Sequence, residues 1–193
     1  MNIIVNIYGS GKCCCRPDTT WERENRDFYV PEKANSIYWS PIVFARISKA
    51  GKCIGSRFAP RYYDAMNFGT LMYIGDMLDG SSEGFACASC ADHTSILPFP
   101  LYNPVVFTTD GNAAEIIRNG KKIFTAECGS NAEMLKKIES TICKASEFTS
   151  LRTGDIVAAE LAPVSILASR EEGDSVMEAT FCSNSLFDFR IIF

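Results

Sequence analysis

Residues 40–78, SPIVFARISKAGKCIGSRFAPRYYDAMNFGTLMYIGDML, constrain the fold more than any other part of the chain. Two apolar runs rich in β-branched and aromatic residues, 37–47 and 70–74, flank a Lys49-Ala50-Gly51-Lys52 turn and a proline-started segment. Short apolar runs bounded by turn residues read as buried strands. Pro41 inside the first run marks a bulge. Pro60 stands where a helix can begin, because its missing N–H costs nothing in a first turn. Tyr62, Ala65 and Met66 then share one helical face, and Gly69 closes that short helix. The stretch predicts a β–turn–helix–β unit.

The remaining elements follow from the same rules. Residues 2–8, NIIVNIY, form a first strand buried on both faces, ended by Gly9-Ser10-Gly11. Residues 10–27 are polar or cysteine-rich and read as a loop or lid. Phe28-Tyr29-Val30 before Pro31 is a short edge strand. Residues 79–84, DGSSEG, are a loop, and 105–108 a strand. Asn119-Gly120 between two apolar runs supplies the positive φ angles of a tight hairpin. Residues 130–147 form the one long helix, with a Ser130/Glu133 capping box, a Leu135/Ile138/Ile142 stripe and a Glu133–Lys137 pair. After the Thr153-Gly154-Asp155 turn, residues 156–159 are a strand. Residues 176–180 and 186–193 pair as a terminal β segment whose alternating Phe187, Phe189 and Phe193, with Phe181, pack a core or an interface. The fold class is α+β, mostly β, with one long helix and a few short ones, in a single domain over residues 1–193.

Composition removes several function classes. Of 193 residues, 47% are hydrophobic and 22% charged, with net charge −4, as in an ordinary globular domain. No Lys/Arg stripe is present, which argues against a nucleic acid or an anionic membrane as partner. No apolar run reaches the roughly 20 residues of a spanning helix. The first residues lack the basic, then apolar, pattern of an export signal, so a cytoplasmic location is expected. The nine cysteines are odd in number and three are adjacent, which suits reduced thiols better than a disulfide framework.

Several stretches, in order along nearly the whole chain, resemble the fumarylacetoacetate hydrolase family in its small single-domain form. FYVPE (28–32) resembles the short strand before the family's metal strand, and VFARISKAGKCI (43–54) the metal strand and its exit turn. RFAPRYYDAMNFG (57–69) resembles the following helix, and EIIRNGKKIF (115–124) the family's hairpin. LRTGDIV (151–157) and EEGDSV (171–176) resemble its two Pro-Gly-Asp regions. The resemblance implies a mixed β-roll, a homodimer, and cleavage or decarboxylation of C–C bonds in small dicarbonyl acids with Mg²⁺ or Mn²⁺. Such an ion takes oxygen ligands and stabilises the enolate left by C–C cleavage.

The resemblance places the family's Glu-x-Glu metal ligands on Ser40 and Ile42 and its metal Asp on Leu71. None of these is a carboxylate. The family's lid His/Glu pair falls on Gly11-Lys12-Cys13-Cys14-Cys15, its lysine near Ala88, and its Gly-Thr-Pro turn near Glu160-Leu161-Ala162-Pro163. Asp76 alone matches a family aspartate. The pocket would be lined by Ser40, Ile42, Leu71, Asp76 and Ala88. The expectation is a fold retained with its metal ligands lost, needing no cofactor: a pseudoenzyme, or a homodimer binding an unknown small molecule or a protein. The alternative is an active hydrolase, isomerase or decarboxylase with relocated ligands such as Asp64, Asp76 and Glu83.

A third reading rests on Cys87, Cys90 and His93, whose spacing is half of a zinc site. His93 is the only histidine, and no second Cys or His pair completes the set unless Cys13–Cys15 does so in space. The same cysteines could form a redox pair, or one could be a nucleophile with His93 as base. The bland reading is spare thiols and a solvated loop histidine.

Overall fold

The two apolar runs pair as the longest strands of the protein. The computed structural model describes residues 1–193. In chain order it has β1 (Ile3–Asn6), β2 (Cys13–Arg16), β3 (Trp21–Glu22), β4 (Phe28–Tyr29), β5 (Ser36–Ile47), β6 (Tyr63–Ile74), α1 (Ser82–Ala88) and β7 (Ser95–Ile96). There follow β8 (Ala113–Arg118), β9 (Lys121–Glu127), α2 (Glu133–Phe148), β10 (Ile156–Glu160), β11 (Ser165–Ser169), β12 (Ser175–Phe181) and β13 (Asn184–Ile192). β5 and β6 run antiparallel, with Ser40 opposite Leu71 and Ile42 opposite Gly69.

The helix expected after Pro60 is replaced by strand. Ala59–Arg61 form a single 3-10 turn, and β6 begins at Tyr63. The Tyr62/Ala65/Met66 spacing suited a helix, but β6 gains backbone partners from β5 on one side and from Tyr102 and β7 on the other. Sheet pairing overrides so short a helical preference. Gly69 is mid-strand: a Cβ there would lie 2.3 Å from the Ile96 carbonyl oxygen, so glycine admits a close backbone approach.

Pro41 makes no bulge; the register shift lies between Arg46 and Ile47. The Leu161 N–H donates to the Pro41 carbonyl at 2.8 Å, so the missing proline N–H faces the same side. There β11 pairs with Ser36–Trp39 of β5 and β10 with Ile42–Arg46, and Pro41 sits between them, where no donor is required.

The first sheet has the order β2-β1-β10-β5-β6-β7-β3, with β11 also beside β5. Its edge strands β2 and β3 are joined by residues 17–20 alone. A link that short forces the sheet to curl until its edges meet, forming a roll. Residues 10–27 are therefore not all loop: Cys13–Arg16 and Trp21–Glu22 supply both edges, and Arg16 and Thr20 are buried. The second sheet, β4-β13-β12-β8-β9, packs against the outside of the roll. Phe181, Phe187 and Phe189 fill that main core, and β4 lies at the sheet edge as expected.

Three further expectations are corrected. Residues 79–84 are not all loop, because Ser81 Oγ accepts from the Gly84 N–H at 2.9 Å and starts α1. Pro104–Thr108 is a 3-10 segment rather than a strand, started by Asn103 Oδ1 accepting from the Val105 N–H at 3.0 Å. The capping box at Ser130 does not form: the Ser130 N–H donates to Asp110, and α2 starts at Glu133 behind Ala132 in the left-handed region. Glu133–Lys137 pairs at 3.3 Å, and Ile138 and Ile142 are fully buried, with Met134 buried beside them and Leu135 packed half-buried against the same core.

The 119–120 hairpin has φ +50° at Asn119 and +74° at Gly120, the signs a two-residue turn between right-twisted strands needs. A Cβ at Gly120 would touch nothing, so only backbone strain opposes it. Gly120→Ala is expected to cost about 1–2 kcal/mol, a fall of roughly 2–8 °C in Tm by thermal unfolding.

Candidate functional site

Alternate residues on the inner strands point into the roll. Ile3 and Val5 of β1, Ile156 and Ala158 of β10, Ile42 and Phe44 of β5, and Leu71 and Tyr73 of β6 form one buried cluster. Ala88 of α1 and Leu97 complete it. The structure thus brings Ser40, Ile42, Leu71 and Ala88 together, and all four are 0% exposed. The Ser40 hydroxyl donates to the Ala162 carbonyl at 2.7 Å.

This apolar interior holds one polar network, which the sequence did not reveal. Glu160, across from Ile42, accepts a hydrogen bond from the Tyr73 hydroxyl and another from the Tyr8 N–H at 2.8 Å. Burial raises the Glu160 carboxyl above its ordinary value, against those two bonds and the Arg16 charge. Burial, then the adjacent carboxylate, likewise pushes the Tyr73 hydroxyl up. The Arg16 guanidinium stacks over the Tyr73 ring at 4.9 Å. Its Nε donates to the Ser89 carbonyl at 2.8 Å, and one Nη to the Met72 carbonyl at 2.7 Å and Thr94 Oγ1 at 3.0 Å. Arg16 thereby ties the β2 edge to β6 and to the chain after α1. Tyr73 stands between the two, its ring under Arg16 and its hydroxyl on Glu160.

Glu160 gave a weak sequence signal, a carboxylate ending the apolar strand Ile-Val-Ala-Ala. Arg16 gave none: behind three cysteines it reads as a loop residue, although CCCR alternates between the two faces of β2.

The other candidates lie elsewhere. Asp76 accepts from the Asn35 N–H and Nδ2 at 2.8 Å and from the Ser36 N–H at 3.2 Å, pinning the start of β5 rather than lining the interior. Asp64 pairs with Arg46 at 3.2 Å, both half-exposed. Glu83 is in the first turn of α1. Cys87 and Cys90 share a small pocket beside α1, whereas His93 lines another cleft, its Nδ1 3.0 Å from Glu22 Oε2. No group of three or more His, Cys, Asp or Glu side chains is placed to hold a metal ion.

Solved structures share this architecture. A Pseudomonas aeruginosa fumarylpyruvate hydrolase, in complex with Mn²⁺ and pyruvate, superposes with TM-score 0.78 at 14% identity, covering 100% of this chain and 88% of the other. A Mycobacterium smegmatis 5-carboxymethyl-2-hydroxymuconate delta-isomerase gives 0.77 at 14% identity, covering 99% and 76%. A Yersinia pestis protein named for the fumarylacetoacetate hydrolase family gives 0.76 at 14% identity, covering 99% and 91%. The chain has the fumarylacetoacetate hydrolase fold. No protein-family model matches the sequence, and no curated protein matches it.

The donor set inside this fumarylacetoacetate hydrolase-like roll does not fit a hard divalent cation, which takes several oxygen ligands. Ile42 and Leu71 offer carbon, Ser40 has committed its hydroxyl, and Glu160 is held by Tyr73 and Tyr8.

Proposed function

We propose that this protein keeps the fumarylacetoacetate hydrolase fold without metal-dependent C–C chemistry, and serves as a homodimeric binding protein. The observation that carries this reading is the packing of Ile42, Leu71 and Ala88, all 0% exposed, at positions the resemblance gives to two metal ligands and a lysine. Fully buried aliphatic side chains leave no room for an ion and its waters. The relocated-ligand alternative gains no support from Asp64, Asp76 and Glu83, which do not converge.

Elemental analysis of protein purified without chelator, followed by melting curves, tests this. The expected result is no stoichiometric Mg²⁺ or Mn²⁺ and no change in Tm in excess of either ion. A site filled at 100 times its Kd would add about 2.7 kcal/mol, or roughly 5–11 °C in Tm, so a retained site is readily seen. Bound Mg²⁺ or Mn²⁺, or such a shift, overturns the reading and restores the enzyme.

A further inference from the structure

We propose that Cys87 and Cys90 form a dithiol–disulfide site that exchanges with low-molecular-weight disulfides of the glutathione class. Both thiols are exposed and line one cavity of about 310 Å³ with Lys33, Ile74, Met77 and Ala91. The Cys90 N–H donates to the Cys87 carbonyl at 3.2 Å, so one tight turn at the end of α1 holds them. With His93 turned to Glu22, the set lacks the donors of a zinc site, but a dithiol exchange needs only two sulfurs.

Six of the seven other thiols are poor competitors. Burial pushes up Cys13, Cys15, Cys143 and Cys182, Cys128 to about 11 and Cys14 to about 12, depleting the reactive thiolate. Cys53 is exposed, in the loop between β5 and the 3-10 turn.

The chemistry balances without further reagents. The thiolate of one cysteine attacks a sulfur of the small disulfide, forming a mixed disulfide and expelling one small thiolate. The second cysteine's thiolate attacks the protein-bound sulfur, closing the Cys87–Cys90 bond and expelling the other. Two protein thiols are oxidised, one small disulfide is reduced to two small thiols, and the two thiol protons go to them. Cys90 lies two residues past the end of α1, so it is this turn that must bring the two Cβ atoms to the about 3.8 Å of a disulfide. That turn carries Ala88 into the roll interior, and Phe85 of the same helix packs on Tyr73 with ring centres 5.4 Å apart. Oxidation is thus felt at the filled interior.

The test treats the folded, reduced full chain with oxidised glutathione, traps free thiols with an alkylating agent, and maps tryptic peptides by mass. Residues 62–118 form one tryptic peptide, whose only cysteines are Cys87 and Cys90. The expected wild-type product is that peptide lacking two hydrogens, with neither glutathione nor alkyl groups. In Cys90→Ser the same peptide is expected to carry one glutathione on Cys87. The proposal is overturned if the wild-type peptide stays reduced, retains glutathione stably, or cross-links to the peptide holding Cys13–Cys15. It is equally overturned if the unfolded chain closes this bond as readily as the folded one, because the geometry then contributes nothing.

Discussion

Arg16→Ala is expected to lower Tm by roughly 6–20 °C. The truncation leaves the Met72 and Ser89 carbonyls and Thr94 Oγ1 without their donor and takes the Arg16 charge away from Glu160. Removing one partner of a buried charged network costs about 3–5 kcal/mol, and a chain of this length loses about 2–4 °C per kcal/mol. Arg16→Lys is expected to recover less than half of the loss, because a single ammonium cannot span acceptors that a planar fork reaches together. Arg26→Ala is the control, since Arg26 pairs with Glu24 at the surface and such pairs contribute about 0–1 kcal/mol. Thermal unfolding of the three variants decides. A loss for Arg16→Ala no larger than for Arg26→Ala would mean that the roll is closed by residues 17–20 and the main core alone.

Arg16 also shows where sequence reading stops. The strands that announce themselves do so by local chemistry: β5 by its apolar run, the 119–120 hairpin by Asn-Gly, β13 by alternating aromatics. β2 announces nothing, because Cys13 and Cys15 face α2, Cys14 and Arg16 face the interior, and cysteines on both faces hide the alternation. Residues 63–69 misled for a different reason. Their apolar spacing fits a helix and a strand alike, and what selects the strand is a partner more than fifteen residues away on each side. Of the candidate site, Ser40, Ile42, Leu71 and Ala88 were legible as a set only through the resemblance. Arg16, Tyr73 and Glu160 come from three distant strands and meet only because the sheet curls. Asp76 entered the set only because the resemblance matches it to a family aspartate, yet its carboxylate accepts from three donors on Asn35 and Ser36.

Leu71→Asp is the second large effect and bears most directly on the lost-ligand reading. Leu71 is 0% exposed opposite Ser40 and packs in the same cluster as Ile42 and Tyr73. Losing the leucine volume and burying a polar group there is expected to cost about 3–5 kcal/mol at pH 7, roughly 6–20 °C in Tm. Leu71→Asn, of similar shape but not titratable, separates shape from charge. Burial raises the introduced carboxyl above its unfolded value of about 3.9. Between those two values the folded state binds more protons than the unfolded state, so stability falls as pH rises. The gap between Leu71→Asp and Leu71→Asn should therefore be absent below about pH 4 and widen as pH climbs through the raised folded value. Mn²⁺ should not rescue Leu71→Asp alone, whereas Ser40→Glu/Ile42→Glu/Leu71→Asp restores the oxygen donors the resemblance assigns to these positions and is expected to gain stability on adding Mn²⁺. If the single variant shows a pH-independent deficit and the triple variant ignores Mn²⁺, these three positions are not the old ligand set. The closed interior of the roll would then be core that never held a metal.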